Sequence, residues 1–391
     1  MVDAASIDGF LKNALRACRS GDDLPWPNEW PTEFQSETAL TMIWSRIDYH
    51  GICVLLHAAN AQFHDWPKEL KSRIAEEARL AGLWEFTHGA ALANLLEALD
   101  QAGIEAVLMK GTALAYSVYH EPSARRRGDS DLLIQPSKLE QARNIFSQCN
   151  WHRDAQIHGV NHQECWLHKS AAHFEHSVDL HWEPSDRAVL QSVLKPDDFF
   201  EHKRPLLRLC SNAWRADPAL TIIHEVINQK WHEAHGYWTE HGHIRGARRL
   251  IWSLDFGLLT DELDQQDWER LKNLCNDRGI GPLVAEALRG AASDLGTQMP
   301  ESHIVELESM ELRAEIATFF ATSDSLTEFW LNLRSASSWK ERARMIRKRG
   351  LPPREYLLTK YPAQAGWPTL LLQGRLLLET AGRVLRKAVA K

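Results

Sequence analysis

The segment Asp129-Ser130-Asp131-Leu132-Leu133-Ile134 constrains this chain more than any other. Successive side chains of a strand point to opposite sides. A strand here therefore sets Asp129 and Asp131 on one face and Ser130, Leu132 and Ile134 on the other. Two carboxylates held that close repel and raise each other's pKa unless a cation neutralises them. One face of this strand needs positive charge, and the other needs an apolar layer.

The flanking sequence supplies partners for both. Helical spacing of apolar residues runs from Ser36 to Asn60 and from Glu69 to Ala102, where Gly103 stops it. Ile104 to Met109 then reads as a short buried strand, Lys110-Gly111-Thr112 as a turn, and Ala113 to Tyr119 as a helix ended by Glu121-Pro122-Ser123. After the acidic strand, Pro136-Ser137 opens a helix through Gln148. His173 to Trp182 alternates as a third strand, with Asp179, His181 and Glu183 on one face and Val178, Leu180 and Trp182 on the other. Beyond Pro184 the pattern is helical, over Ala219 to Lys230, Ile244 to Leu259, Asp267 to Cys275, Pro282 to Leu295 and Ile304 to Phe320, with no strand of similar quality. The fold expected is α+β, a small mixed sheet flanked by helices: an N-terminal helical region over 1–102, a core over 103–205 and a C-terminal helical region over 206–391.

Bulk properties narrow the function. With 391 residues, 44% apolar and 25% charged, the chain has the composition of a folded protein of two or three units. Its net charge of −7 disfavours a long nucleic acid as partner, since phosphate-binding surfaces need clustered positive charge. The six cysteines include no Cys-x-x-Cys pair, which points away from a zinc ribbon or a disulfide framework and toward a reducing, cytoplasmic compartment. Neither a signal peptide nor a transmembrane stretch of about 18 apolar residues is expected.

Asp129, Asp131 and Asp179, on neighbouring strands, make a set able to hold Mg2+ or Mn2+. The Gly111 turn opens a helix, where backbone N–H groups and the positive dipole end favour a phosphate. Thr112 offers a hydroxyl, and Lys110 and Arg125 offer charge. His181 shares the face of Asp179 and is a candidate nucleotide contact. Arg126 and Arg127 read as a solvated loop balancing the acids.

Leu108-Met109-Lys110-Gly111-Thr112-Ala113-Leu114, Tyr119, Arg125, Gly128-Asp129-Ser130-Asp131-Leu132-Leu133-Ile134 and Val178-Asp179-Leu180-His181-Trp182 together resemble the uncharacterised bacterial nucleotidyltransferase family of the DNA polymerase beta-like superfamily. The pattern is also similar to abortive-infection nucleotidyltransferase toxins. The resemblance implies that Gly111 and Thr112 position a nucleoside triphosphate, that Asp129 and Asp131 bind metal, and that Asp179 completes the site. It covers about residues 104–183 at the level of motifs, with Leu351-Pro352-Pro353-Arg354-Glu355-Tyr356-Leu357 broadly similar. Two departures stand out: Gly-Thr replaces the usual Gly-Ser, and Ser130 occupies a position where an aliphatic residue is usual.

The activity implied is transfer of a nucleoside monophosphate from an NTP, ATP for preference, to a hydroxyl on a peptide, protein or small molecule, with release of pyrophosphate. Asp179 is the candidate to draw the acceptor's proton. The competing readings are a nucleotide-sensing or partner-binding module without turnover and a phosphotransferase. Seven histidines between 152 and 181, at 152, 158, 162, 168, 173, 176 and 181, are too irregularly spaced for a dedicated transition-metal site, and Glu183 stands where its strand should end. The basic run Lys340 to Arg349 reads as a solvated helix face, and the final helix, Thr369 to Ala390, as one docked on the helical body.

Overall fold

Among the described residues, the α-helices that precede the first strand are α1 (Ala4–Ser20), α2 (Glu37–His50), α3 (Cys53–Ala58) and α4 (Lys68–Gln101). The computed structural model describes residues 3–20, 30–59, 63, 65–154, 162–239, 242–244, 248–322, 324–352 and 354–389. The Ser36 side chain caps α2 by accepting from the Ala39 N–H. The helical run expected from Ser36 to Asn60 is broken at Gly51, and Asn60 lies outside the described residues. Gly51 takes a left-handed φ of 69°, and its N–H donates to the carbonyls of Ile47 and Asp48, closing α2. Helix α4 runs unbroken for 34 residues.

The core follows as β1 (Ala106–Met109), α5 (Lys110–Ser117), β2 (Asp129–Ile134), α6 (Leu139–Gln148), β3 (His152–Arg153), β4 (Gln163–Lys169), β5 (Glu175–His181), α7 (Ala188–Gln191), α8 (Pro196–Glu201), β6 (Arg204–Pro205) and β7 (Trp214–Arg215). These strands form one mixed sheet in the order β3-β4-β5-β2-β1-β7-β6. Strand β2 lies antiparallel to β1 and parallel to β5. The rest of the chain is α9 (Pro218–His235), the hairpin β8 (Tyr237–Thr239) and β9 (Gly242–Ile244), then α10 (Leu250–Glu262), α11 (Gln265–Arg278), α12 (Gly281–Leu295), α13 (Glu301–Glu308), α14 (Ala314–Ala321), α15 (Ser325–Ser335), α16 (Trp339–Gly350), α17 (Arg354–Lys360) and α18 (Thr369–Val389).

Strand β4 carries Gln163, Glu164, His168 and Lys169 and so lacks an apolar alternation; its place comes from antiparallel pairing with β5. Beyond Pro184, where no strand of comparable quality is expected, the sheet gains only the two-residue β6 and β7, and β8 and β9 form a separate short hairpin. Segments of two or three residues hold too few side chains to show a period. The helix expected from Ile304 to Phe320 is two, α13 and α14, separated where the Arg313 N–H donates to the Gly279 carbonyl.

Each face of the sheet has its own core. Leu108, Leu132, Ile134, Val178 and Leu180 pack with Leu92, Leu95, Leu96 and Leu99 of α4 and Phe146 of α6. On the opposite face Val107, Met109 and Leu133 join Ile222, Ile223 and Val226 of α9 in a larger core that reaches Phe256 of α10, Leu288 of α12 and Ile7 and Leu11 of α1. Helices from both ends of the chain thus share one core. The division expected after residue 205 falls between β6 and β7, which pair with each other.

At Gly51 a Cβ would meet the Arg249 Nη2 at 2.9 Å in addition to the left-handed backbone. Gly51→Ala is expected to lower unfolding stability by about 1–2 kcal/mol. Chemical denaturation at constant m-value checks this; an unchanged midpoint would show that α2 does not need this cap.

Candidate active site

Strands β2 and β5 run parallel in a register that pairs Asp131 with Asp179 and Leu133 with His181. Same-face side chains of neighbouring strands therefore bring two carboxylates together, with the imidazole one step along. The Asp131 Oδ1 accepts from the Lys110 Nζ at 2.5 Å and lies 2.9 Å from the His181 Nε2. The Asp179 Oδ2 accepts from the Gln163 Nε2 at 2.8 Å. One ligand atom from each of Asp131, Asp179 and His181 lies within 4.8 Å of the others. Among the described residues this is the one group of three or more such donors. His158 lies outside those residues, and histidines 152, 162, 168, 173 and 176 form no such group.

Asp129 stands apart from that triad, at the start of β2, with its side chain open to solvent on one side. Crowding by protein atoms, followed by repulsion from Asp131 and Asp179, pushes its carboxyl up to about 7. The exposed edge tempers the crowding, so the firmer cause is the pair of like charges. Asp179 is raised in the same direction by burial and by Asp131. Burial would also raise Asp131, but the Lys110 ammonium and the His181 hydrogen bond outweigh it and hold this carboxyl well below the usual range. The site is thus a split set: one carboxylate held ionised by a lysine, and two whose protons are more tightly held.

The turn that delivers Lys110 differs from expectation. The left-handed conformation falls on Lys110 itself, with φ 50°, and Gly111 lies in the first turn of α5. A Cβ on Gly111 would make ordinary contact with Arg127 at 3.5 Å, so the protein's own packing does not require the glycine. No side chain caps α5, which leaves its first amides to an outside acceptor or water.

Two residues expected to meet a triphosphate are turned into the protein instead. The Thr112 hydroxyl is buried, bonded to the Ser130 Oγ at 2.7 Å and accepting from the Arg127 Nε at 2.9 Å. Ser130 in turn bonds the His88 Nε2 at 2.7 Å. The hydroxyl at an aliphatic position thus ties β2 to α5 and α4. The buried Arg125 donates its Nε to both oxygens of Asp255 on α10, at 2.8 and 3.0 Å, and Tyr119 donates to the same carboxylate at 2.6 Å. Arg127 is no solvated loop residue. Its guanidinium is bidentate to Glu85 of α4, at 2.7 and 2.8 Å, beside the Tyr116 hydroxyl on the same carboxylate. Arg126 is the one of the three left about a third exposed, opposite Glu77.

Helix α9 contributes residues that the sequence reading missed. His224 and Glu225 are both buried within electrostatic reach of Lys110 and Asp131. Burial, reinforced by Lys110, pushes His224 down to about 3. Neither carboxylate oxygen of Glu225 has a hydrogen-bond partner among the described residues. Burial and the charge of Asp255 push that carboxyl up to about 8, against Arg125 and Lys110. The signal was present: a His-Glu pair interrupts the apolar run Leu220-Thr221-Ile222-Ile223-His224-Glu225-Val226-Ile227.

A small mixed sheet flanked by helices, with an Asp-x-Asp strand beside a strand carrying a third acid and next to an uncapped helix start, is consistent with the general polymerase beta-like nucleotidyltransferase fold. Residues 37–296 match the model of the uncharacterised nucleotidyltransferase family, and the chain belongs to that family. Comparison with curated proteins and with solved structures finds no match. The family match and the Asp131, Asp179 and His181 cluster make this chain a nucleotidyltransferase-type protein with a site able to hold a divalent cation.

Arg125→Ala leaves Asp255 buried without its guanidinium, so a loss of about 3–5 kcal/mol in unfolding stability is expected; a loss below about 1 kcal/mol in denaturant titration would show the pair to be dispensable. For Glu225 the sign follows from its raised pKa. The unfolded carboxyl loses its proton near the ordinary value of 4.5 while the folded one keeps it to about 8, so the folded state loses stability as pH rises through that window. Glu225→Gln removes the slope. Its melting temperature should exceed wild type by a margin that widens from pH 5 to about 8, and a margin independent of pH would contradict the assignment.

Proposed function

We propose that this protein transfers a nucleoside monophosphate from a nucleoside triphosphate, ATP for preference, to the hydroxyl of a peptide, protein or small molecule. The observation that carries the reading is the pairing of Asp131 with Asp179 in adjacent parallel strands, with Asp129 two residues upstream at the open rim.

The donor set fits a divalent cation. Two carboxylates and one imidazole stand together, and the raised proton affinities of Asp129 and Asp179 are what a cation would relieve. The imidazole of His181 suits Mn2+ at least as well as Mg2+, which prefers oxygen donors alone. Asp131, Asp179 and His181 would hold the ion, with Asp129 as the acid that joins them from the rim. Such an ion, when bound, neutralises phosphate charge and favours departure of pyrophosphate.

The chain's own residues set the rest. Lys110, paired with Asp131, would add its positive charge beside phosphate oxygens at this edge, and the uncapped amides of Gly111 and Thr112 at the start of α5 favour the same anion. Arg125 acts by pinning the loop before β2 to α10. In the reaction the acceptor oxygen bonds to the α-phosphorus, the bond from that phosphorus to the bridging oxygen breaks, and pyrophosphate leaves. The hydroxyl proton passes to a carboxylate, with Asp179 as the candidate and Asp129, at the exposed rim of the strand, as the alternative.

Incubation with each labelled NTP, Mg2+ or Mn2+ and an acceptor panel should release pyrophosphate, and Asp131→Asn or Asp179→Asn should each lower the rate by roughly 100-fold or more. An acceptor heavier by a phosphate alone marks a phosphotransferase. Metal-independent NTP binding, unchanged in Asp131→Asn and without any product, marks a sensing module.

A further inference from the structure

The last 55 residues differ from the rest of the chain in charge and in surface. Residues 337–391 carry thirteen Lys and Arg against three Glu, a net +10, while the preceding residues carry −17. They also lie beyond the family match, which ends at residue 296. Of the fourteen large apolar side chains exposed among the described residues, nine fall in this segment, between Trp339 and Leu378.

Helix α18 shows why this surface is not an ordinary docked helix. Leu372 and Leu376 pack with Leu357 and Tyr361 of α17 in a small core separate from the two that cover the sheet. Leu370, Leu371, Leu377 and Leu378, spaced at i, i+1, i+7 and i+8, share the other side of the helix and are 78%, 58%, 47% and 77% exposed. A second leucine face therefore points away from the protein. Exposed Trp339 and Trp367 lie in the same C-terminal segment, as do the exposed cations Lys340, Arg344 and Arg347 of α16.

We infer that α16 and α18 form a peripheral binding surface for an anionic lipid bilayer, with the leucines entering the apolar boundary and the cations meeting lipid phosphates. No helix of the described residues is long and apolar enough to cross a membrane, so the contact is interfacial. Saturated leucine side chains and tryptophans suit the boundary between headgroups and acyl chains, and each cation near an anionic surface adds attraction that salt screens. A nucleic acid offers phosphates but no saturated surface for four leucines. A second copy of this chain, docked symmetrically, would set one +10 segment against another. The inference is independent of the catalytic reading.

Co-sedimentation of the full chain with vesicles tests it. Binding is expected to phosphatidylcholine vesicles containing phosphatidylglycerol, to be weak with phosphatidylcholine alone, and to fall as salt rises. The doubles Leu370→Glu/Leu378→Glu and Arg344→Glu/Arg347→Glu should each weaken partitioning by about tenfold or more. All four residues are exposed, so an unchanged circular dichroism spectrum and melting temperature will separate lost binding from lost folding. The inference is overturned if neither vesicle binds, if binding is indifferent to the leucine double, or if sedimentation equilibrium shows a dimer that the leucine double dissociates. An RNA gel shift that survives the leucine double, without vesicle binding, would likewise overturn it.

Discussion

Two carboxylates paired across parallel strands are a liability for any fold, since the strands stand only about 4.8 Å apart and like charges at that range raise each other's pKa. Asp131 and Asp179 are such a pair. The ammonium of Lys110, brought against Asp131, offsets the repulsion from within the chain. That single contact depends on β1 running beside β2 and on the chain turning at Met109 into α5, because Lys110 reaches Asp131 from a left-handed backbone. The sheet, the turn and the charge balance therefore stand or fall together.

The loop that leads into β2 is held by ion pairs rather than by regular structure. Arg125 binds Asp255 on α10, and Arg127 binds Glu85 on α4. One arginine thus ties the loop to the helices after the sheet, and the other ties it to the helix before. Both acidic partners lie within the 37–296 match, on helices that carry none of the candidate metal-binding acids. Buried pairs of this kind contribute little net stability over an apolar replacement, but losing one member is expensive; their effect here is to hold Asp129 and Asp131 in position.

Much of the sheet centre was legible in advance. The strands around Ala106, Asp131 and Asp179 and the helices α4, α6, α9 and α12 carry complete hydrophobic periods, so local pattern sufficed to place them. Strand β4 escaped because its residues are mostly polar and its position comes from pairing with β5. The arginines escaped for a different reason. Arg125 and Arg127 meet residues 130 and 42 positions away, and nothing in a basic triplet reveals whether it faces water or a buried carboxylate.

From its order of residues alone, this chain had to place Asp129 and Asp131 on one face of a strand, since alternation is a local property of the extended backbone. The motif-bearing segments also had to follow one another as strand, turn and helix, for the same local reason. Only the tertiary structure decided that β5 would lie parallel to β2 in the register that sets Asp179 against Asp131, that His181 would complete the cluster while Asp129 stayed at the rim, and that Thr112 and Arg125 would turn inward. Those outcomes rest on long-range packing and on the neutralisation of buried charge, which no window of sequence contains.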